Sequence, residues 1–211
     1  MRRFYTLATT MALLGLAACA GAQPPDDQQP TTLAIGSKAP MADIKMKNVD
    51  GKELSITDVG GKKGTLVVFT CNHCPWAKAW EERIVALGNT WSKKGIGVIA
   101  INANDPEAFE EDGYTQMQAR AKERKIAYPY VVDATSDVAR AFGATRTPEA
   151  FLFDASGKLV YHGTIDDNAK EPKNVKARYL ADAVKAVAAG KAVAMAETKA
   201  LGCGIKYRSK A

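Results

Sequence analysis

The stretch Gly64-Thr65-Leu66-Val67-Val68-Phe69-Thr70-Cys71-Asn72-His73-Cys74-Pro75 decides how this chain is read. Up to Thr70 it is short, apolar and rich in β-branched side chains, the composition of a strand inside a sheet. Beyond the cysteines, Ala77, Trp80, Ile84, Leu87 and Trp91 recur in steps of three and four, the stripe of an amphipathic helix over about 74–93. Cys71 and Cys74 therefore stand where a strand turns into a helix. Unpaired backbone N–H groups and the positive end of the helix dipole at such a junction favour the thiolate, which is the reactive form. Pro75 falls in the first helical turn, where its missing N–H does little harm.

Working outward, Ile44, Met46, Asp50-Gly51, Leu54 and Ile56 predict a hairpin with a tight turn. Gly95 ends the helix, and Ile96 to Asn102 is a second buried strand. Asp105-Pro106-Glu107 starts a helix running to about Lys125, and Tyr130 to Asp133 is a strand. Thr135 or Ser136 caps a short helix that stops at Gly143. Ala150 to Asp154 and Leu159 to Gly163 form a hairpin across Ala155-Ser156-Gly157-Lys158, and Val175 to Ala189 is a final helix. Strands alternating with helices imply parallel pairing, and the last hairpin is antiparallel. The expected fold is α/β, a mixed central sheet with helices on both faces and an N-terminal hairpin.

The chain has 211 residues, 46% apolar and 25% charged, enough for one domain with a proper core. Its formal charge is +6, and loss of Arg2 and Arg3 with a targeting peptide leaves about +4. Basic residues are interspersed with acidic ones, as in Lys122-Glu123-Arg124-Lys125, which describes a solvated surface and not a nucleic-acid groove. Met1-Arg2-Arg3 and the apolar run Leu7 to Ala18 read as a secretory signal over 1–18. It closes on Leu16-Ala17-Ala18-Cys19, which resembles a bacterial lipobox. That resemblance implies cleavage before Cys19, a lipid on its sulfur and attachment to a membrane facing the periplasm. Ala20 in place of an aspartate points to the outer membrane. Residues 19–38, rich in Gln, Pro, Asp and Thr, are read as a flexible tether. The domain is expected over 39–192 and a tail over 193–211. An envelope location is oxidising, so a CxxC there cycles between dithiol and disulfide.

A CxxC at a strand-to-helix junction resembles the thioredoxin superfamily, as does Thr147-Pro148 just before the strand that starts near Ala150. In that superfamily a proline at this place is cis, lies against the CxxC and offers backbone groups to the substrate chain. The chain is most similar to the redoxin branch, which holds peroxiredoxin-like and TlpA-like proteins. The likeness rests on Ile35 to Pro40, Asp50-Gly51-Lys52, Phe69 to Pro75, Thr147 to Asp154 and Gly163 to Asp167. Leu201-Gly202-Cys203-Gly204-Ile205-Lys206-Tyr207 also resembles the end of a CNHCP-bearing subgroup of peroxiredoxin-like proteins.

The resemblance implies a thiol–disulfide oxidoreductase with Cys71 and Cys74 catalytic and no cofactor. Its partners would be protein or small-molecule disulfides and thiols, with a redox partner that the sequence does not name. Cys71 is expected to attack as a low-pKa thiolate and Cys74 to resolve. Asn72, His73, Pro75, Trp76 and Arg146 are expected beside the pair, with Thr147 and Pro148 binding substrate. His73 resembles the thiolate-favouring histidine of DsbA-type oxidants, or it is a solvent-facing residue of the first turn. Trp76 is a rim contact or simple packing. The strand before the CxxC lacks the buried acid of thioredoxin-like reductases.

Three rival readings stand beside this one. Peroxiredoxins carry PxxxTxxC, but here Val67 and Cys71 occupy the Pro and Thr places. Sco-like copper chaperones use CxxxC and a distant histidine, whereas this chain has CxxC, and His162 reads as an edge-strand surface residue; no metal is assigned. An inactive interaction module is the third. Cys203 is open: an accessory thiol near the site, an intermolecular partner or a buried thiol.

Overall fold

The computed structural model describes Met1 and residues 30–209. The expected signal segment beyond Met1 and the expected lipidation residue Cys19 lie outside these. The elements run β1 (Met46–Asn48), β2 (Glu53–Leu54), β3 (Gly64–Phe69), α1 (Pro75–Trp91), β4 (Ile96–Asn102), α2 (Tyr114–Arg124) and β5 (Tyr130–Val132). They continue with α3 (Asp137–Phe142), β6 (Arg146–Thr147), β7 (Glu149–Asp154), β8 (Leu159–Gly163), α4 (Tyr179–Ala188) and β9 (Cys203–Gly204).

Two ladders, β2-β1-β5-β4 and β3-β7-β8, lie side by side as one seven-stranded mixed sheet. Lys63 N–H to Gly95 C=O (2.9 Å) and Thr70 N–H to Ile101 C=O (2.9 Å) join β3 to β4 in parallel. β4 pairs parallel with β5, and β7 pairs antiparallel with both β3 and β8. This is the thioredoxin-like arrangement, with the expected Asp50-Gly51 hairpin at one edge.

Alternation along β3 sorts the core into two layers. Leu66 and Val68 face Trp80 and Ile84 of α1, Met117 and Ala121 of α2, and Leu180 and Val184 of α4. Val67 and Phe69 face Ile99, Ile101, Phe151 and the α3 residues Val138 and Phe142. Phe69, Phe142 and Phe151 meet edge to face with centroids 5.2–5.7 Å apart, the favoured aromatic geometry. Gly95, at φ +94°, reverses the chain between the α1 end and β4, a conformation costly for other residues. Among the described residues no helix is long and apolar enough to cross a membrane.

Four local expectations change. The helix foreseen from Asp105 is a turn, a 3-10 segment Glu110–Asp112, and then α2, because Gly113 is extended and breaks it. Ser136 stands at the N-cap of α3 but its side chain makes no cap bond; Thr135 Oγ1 instead accepts the Asp137 N–H (3.3 Å). Asp133 Oδ2 accepts the Ala139 N–H (2.9 Å), while Ser136 Oγ donates to Ala103 C=O (2.7 Å). The last helix starts at Tyr179, since Lys176 N–H and Ala177 C=O are taken by Asp167. Residues 193–209 pack along the fold. They bond both sides of His162 through Ala196 and Thr198 (2.9 Å each), pair β9 with β6 and bury Ile205.

His162 is correspondingly not a surface residue. It is 9% exposed, and its Nε2 lies 2.6 Å from Glu149 Oε1. The expectation failed because the tail covers β8, a contact between segments far apart in the chain.

Candidate active site

β3 and α1 carry the two cysteines to one point. Cys74 is the N-cap of α1 and Pro75 its first residue; no side chain caps the helix and no acid occupies its first turn. The terminal N–H groups are thus left to sulfur, and the Ala77 N–H is hydrogen-bonded to Cys74. Across from them runs the loop into β7, where the Thr147–Pro148 bond is cis, as the resemblance implied. Thr147 meets both sulfurs: its Oγ1 is 3.2 Å from Cys71 Sγ, and its C=O lies 3.1 Å from Cys74 Sγ, accepting a hydrogen bond whenever Cys74 is protonated. Cys71 is 5% exposed and Cys74 is fully buried, so Cys71 is the more accessible of the two.

Their protonation departs from expectation. Cys74, and not Cys71, holds the lowered pKa, brought down to about 4. The Cys71 thiol is the largest cause, followed by Cys203 and the N–H groups of Ala77 and Cys203, against an opposing cost of burial. Cys71 is pushed up by its bond to Cys74, by burial and by the nearby Asp112 carboxylate. The pair shares one proton, which stays on the sulfur beside the acid and leaves the charge at the helix N-terminus.

Asp112 is the residue the sequence reading missed. It is 1% exposed and its Oδ1 accepts from Asn72 N–H (2.6 Å) and Asn102 Nδ2 (3.2 Å), while Oδ2 pairs with His73 Nδ1. The site therefore does have a buried acid, supplied by the 3-10 turn and not by β3. The Asp112-Gly113 pair, a turn signal, was the clue that the helix breaks there. His73 does not face solvent: its ring stacks on Phe109 at 3.8 Å. Asn72 donates to Glu111 C=O (2.7 Å) and accepts from Tyr130 O–H (3.0 Å). The trio Cys71, His73 and Asp112 sits within 4.8 Å, but its imidazole and carboxylate atoms are spent on each other and on amides, so no metal is assigned to it.

Trp76 is 37% exposed and leans on buried Trp80, whose Nε1 donates to Asp166 (2.7 Å). Arg146 is exposed beside the site, and its N–H, with that of Thr145, is held by Glu149 Oε2 (2.9 and 2.8 Å). Thr147 is buried. Its outer backbone edge is already occupied, since Arg146 and Thr147 pair antiparallel with Gly204 and Cys203 of β9. A substrate chain would reach that edge only by displacing β9. Cys203 itself packs against Cys71, Cys74 and Ala77. A cavity of about 20 Å³, room for one water, borders Cys71 between Thr70, Asn72 and Tyr130.

A buried dithiol thus lies against a cis-proline on a thioredoxin-like sheet. The chain belongs to the AhpC/TSA family, whose profile matches residues 35–162. It is 27% identical over 132 residues to the thiol-disulfide oxidoreductase ResA of Geobacillus thermodenitrificans, covering 61% of this chain and 68% of that protein. A conserved protein of Geobacillus kaustophilus has a crystal structure that superposes with a TM-score of 0.78 at 34% identity, covering 86% of this chain and 96% of that one. A thiol:disulfide interchange protein of Chlorobium tepidum superposes at 0.52 with 26% identity, covering 66% and 92%.

Proposed function

We propose that this protein is a thiol–disulfide oxidoreductase working through Cys71 and Cys74. The observation that carries the reading is the meeting of both sulfurs at Thr147, one within reach of solvent and one at the bare N-terminus of α1. The Cys74 thiolate takes the Cys71 proton as Cys71 attacks a substrate disulfide, expelling one thiol and leaving a mixed disulfide on Cys71. Cys74, which gives up its proton readily, then attacks the Cys71 sulfur and expels the second thiol. One substrate disulfide becomes two thiols and the Cys71–Cys74 disulfide forms; the reverse sequence oxidises a dithiol. A low pKa at Cys74 makes it a good leaving group in that reverse direction. No bound cofactor is needed. A partner thiol or disulfide restores the pair.

The test is exchange with a small disulfide such as oxidised glutathione. Cys74→Ser should accumulate a mixed disulfide on Cys71, and Cys71→Ser should stop turnover. Unimpaired turnover by Cys71→Ser would sink the reading. A fast peroxidase that survives Cys71→Ser and is lost in Cys74→Ser would assign peroxide reduction instead. A potential near about −120 mV marks an oxidant and one near about −270 mV a reductase.

The N-terminal sequence supports a site of action in the bacterial cell envelope. There residues 1–18 are removed, Cys19 carries lipid in the periplasm-facing leaflet of the outer membrane, and the residues after it tether the domain. The tether expected over 19–38 is shorter, because Leu33 N–H bonds Phe142 C=O (3.0 Å) and Gly36 N–H bonds Leu159 C=O (2.8 Å), which fixes its end on the fold. A Cys19→Ala protein still processed at the same bond would overturn the lipid anchor.

A further inference from the structure

We propose that Cys203 is a third redox thiol of this site, which attacks the Cys74 sulfur of the Cys71–Cys74 disulfide and moves the bond to Cys74–Cys203. The proposal rests on the dithiol reading above and extends it with a second oxidised form.

The placement of Cys203 is built and not incidental. β9 puts Cys203 directly opposite Thr147, the residue that touches both other sulfurs. Gly202 makes the approach possible: a Cβ there would stand 2.2 Å from Thr147 C=O. The strand is pinned on both sides. Upstream, Thr198 N–H bonds His162 C=O. Downstream, Ile205 N–H bonds Thr145 C=O (3.0 Å), Lys206 N–H bonds Asn104 Oδ1 (2.8 Å) and Asp105 N–H bonds Lys206 C=O (2.7 Å). The Cys203 side chain is thereby packed on Cys71, Cys74 and Ala77. β9 also fills the backbone edge before cis-Pro148, so the chain supplies its own strand, and its own thiol, at that edge.

The order of events follows from the charges. While Cys74 is a thiolate, burial and its bond and charge raise Cys203 to about 11, and Cys203 keeps its proton. Once Cys74 enters a disulfide that charge is gone, and the Cys203 thiolate becomes easier to form. Its attack on Cys74 makes the Cys74–Cys203 bond and breaks the Cys71–Cys74 bond. The Cys71 thiolate that leaves takes up the proton Cys203 lost. No electrons enter or leave in this step. Cys203 is more exposed than either partner, so a reducing thiol reaches its sulfur first and expels the Cys74 thiolate, the better leaving group. Electrons from the donor thus enter at Cys203, and Cys71 remains the sulfur that meets the substrate disulfide.

Tryptic mapping reads this directly, because Cys71 and Cys74 share the peptide 64–78 while Cys203 lies in 200–206. The full protein is reduced, oxidised with stoichiometric oxidised glutathione, blocked with an alkylating agent and digested without reductant. The expected result is a link between peptides 64–78 and 200–206 in the monomer band, absent in Cys71→Ser, which cannot form the Cys71–Cys74 bond, and absent in Cys74→Ser. At a fixed, large excess of oxidised glutathione the link should form with a rate constant independent of protein concentration. A wild-type protein that exchanges disulfides and forms the bond within 64–78, but never the link to 200–206, overturns this inference and leaves the dithiol reading standing. A protein that exchanges no disulfide overturns both.

Discussion

At the scale of single residues, the site separates charge from access. Cys74, whose pKa is lowered, is sealed, while Cys71, whose pKa is raised by its bond to Cys74, by burial and by Asp112, is the more accessible. Thiolate absorbance of the reduced protein should persist on acidification and vanish as pH falls through about 4, against an ordinary thiol value of 9.0. In Cys71→Ala, which deletes the largest cause of the depression, the loss should come at distinctly higher pH. Linkage fixes the sign for stability. A depressed folded pKa stabilises above the unfolded value and loses that contribution as pH falls through the folded one. Reduced wild type should therefore gain thermal stability from about pH 4 toward 9 with a slope that Cys74→Ser lacks. Cys71, shifted the other way, opposes this only above the ordinary thiol range. Asp112→Asn removes the carboxylate from His73 and should cost about 1–3 kcal/mol in denaturant unfolding, while letting the Cys71 pKa fall. An unchanged denaturation midpoint would mean that His73 finds another partner.

At the scale of elements, α1 matters for what its N-terminus lacks. With no capping side chain and no acid in the first turn, its N–H groups and dipole are directed at Cys74. The helix is fixed against the loop after β8 by Trp80 and Arg83. Trp80 Nε1 bonds Asp166, Arg83 pairs with the same carboxylate, and Arg83 also donates to Asn168 C=O (2.8 Å) and Ala169 C=O (2.6 Å). Arg83→Ala should destabilise by about 3–5 kcal/mol, because Asp166, 4% exposed, keeps a buried charge without its cation. Unfolding in denaturant checks this, and a loss below about 1 kcal/mol would show that Trp80 and the Asn168 N–H satisfy Asp166 without a cation. β9 gives a contrasting case, a two-residue strand held by close backbone approach. Gly202→Ala should push it off Thr147 and accelerate amide hydrogen exchange at Cys203 and Ile205, with the β3 and β4 amides unaffected.

At the scale of the whole molecule, the sheet divides the apolar interior into two layers, and the site sits at the end of the strands shared by both. Phe142, fully buried among Phe69, Phe151 and Phe153, links α3 to the layer beneath the CxxC. Phe142→Ala should cost about 3–5 kcal/mol in the unfolding free energy. A smaller loss would mean that α3 settles into the cavity.

The sheet, the order of its elements and the Cys71–Cys74 junction were legible because they rest on short-range pattern. The alternation Leu66-Val67-Val68-Phe69 and the three-and-four spacing from Ala77 to Trp91 are local periodicities, and no distant contact is needed to read them. Asp112 and its tie to His73, Glu149 under His162 and the burial of His162 by residues 196–198 join segments far apart along the chain, and nothing in the local pattern encodes them. The identity of the thiolate belongs to the same class. By itself the sequence determined that two thiols meet at a strand-to-helix turn. Only the tertiary structure decided which sulfur carries the charge and that a third lies against them, because pKa and contact depend on burial and neighbouring groups that exist only once the chain has closed.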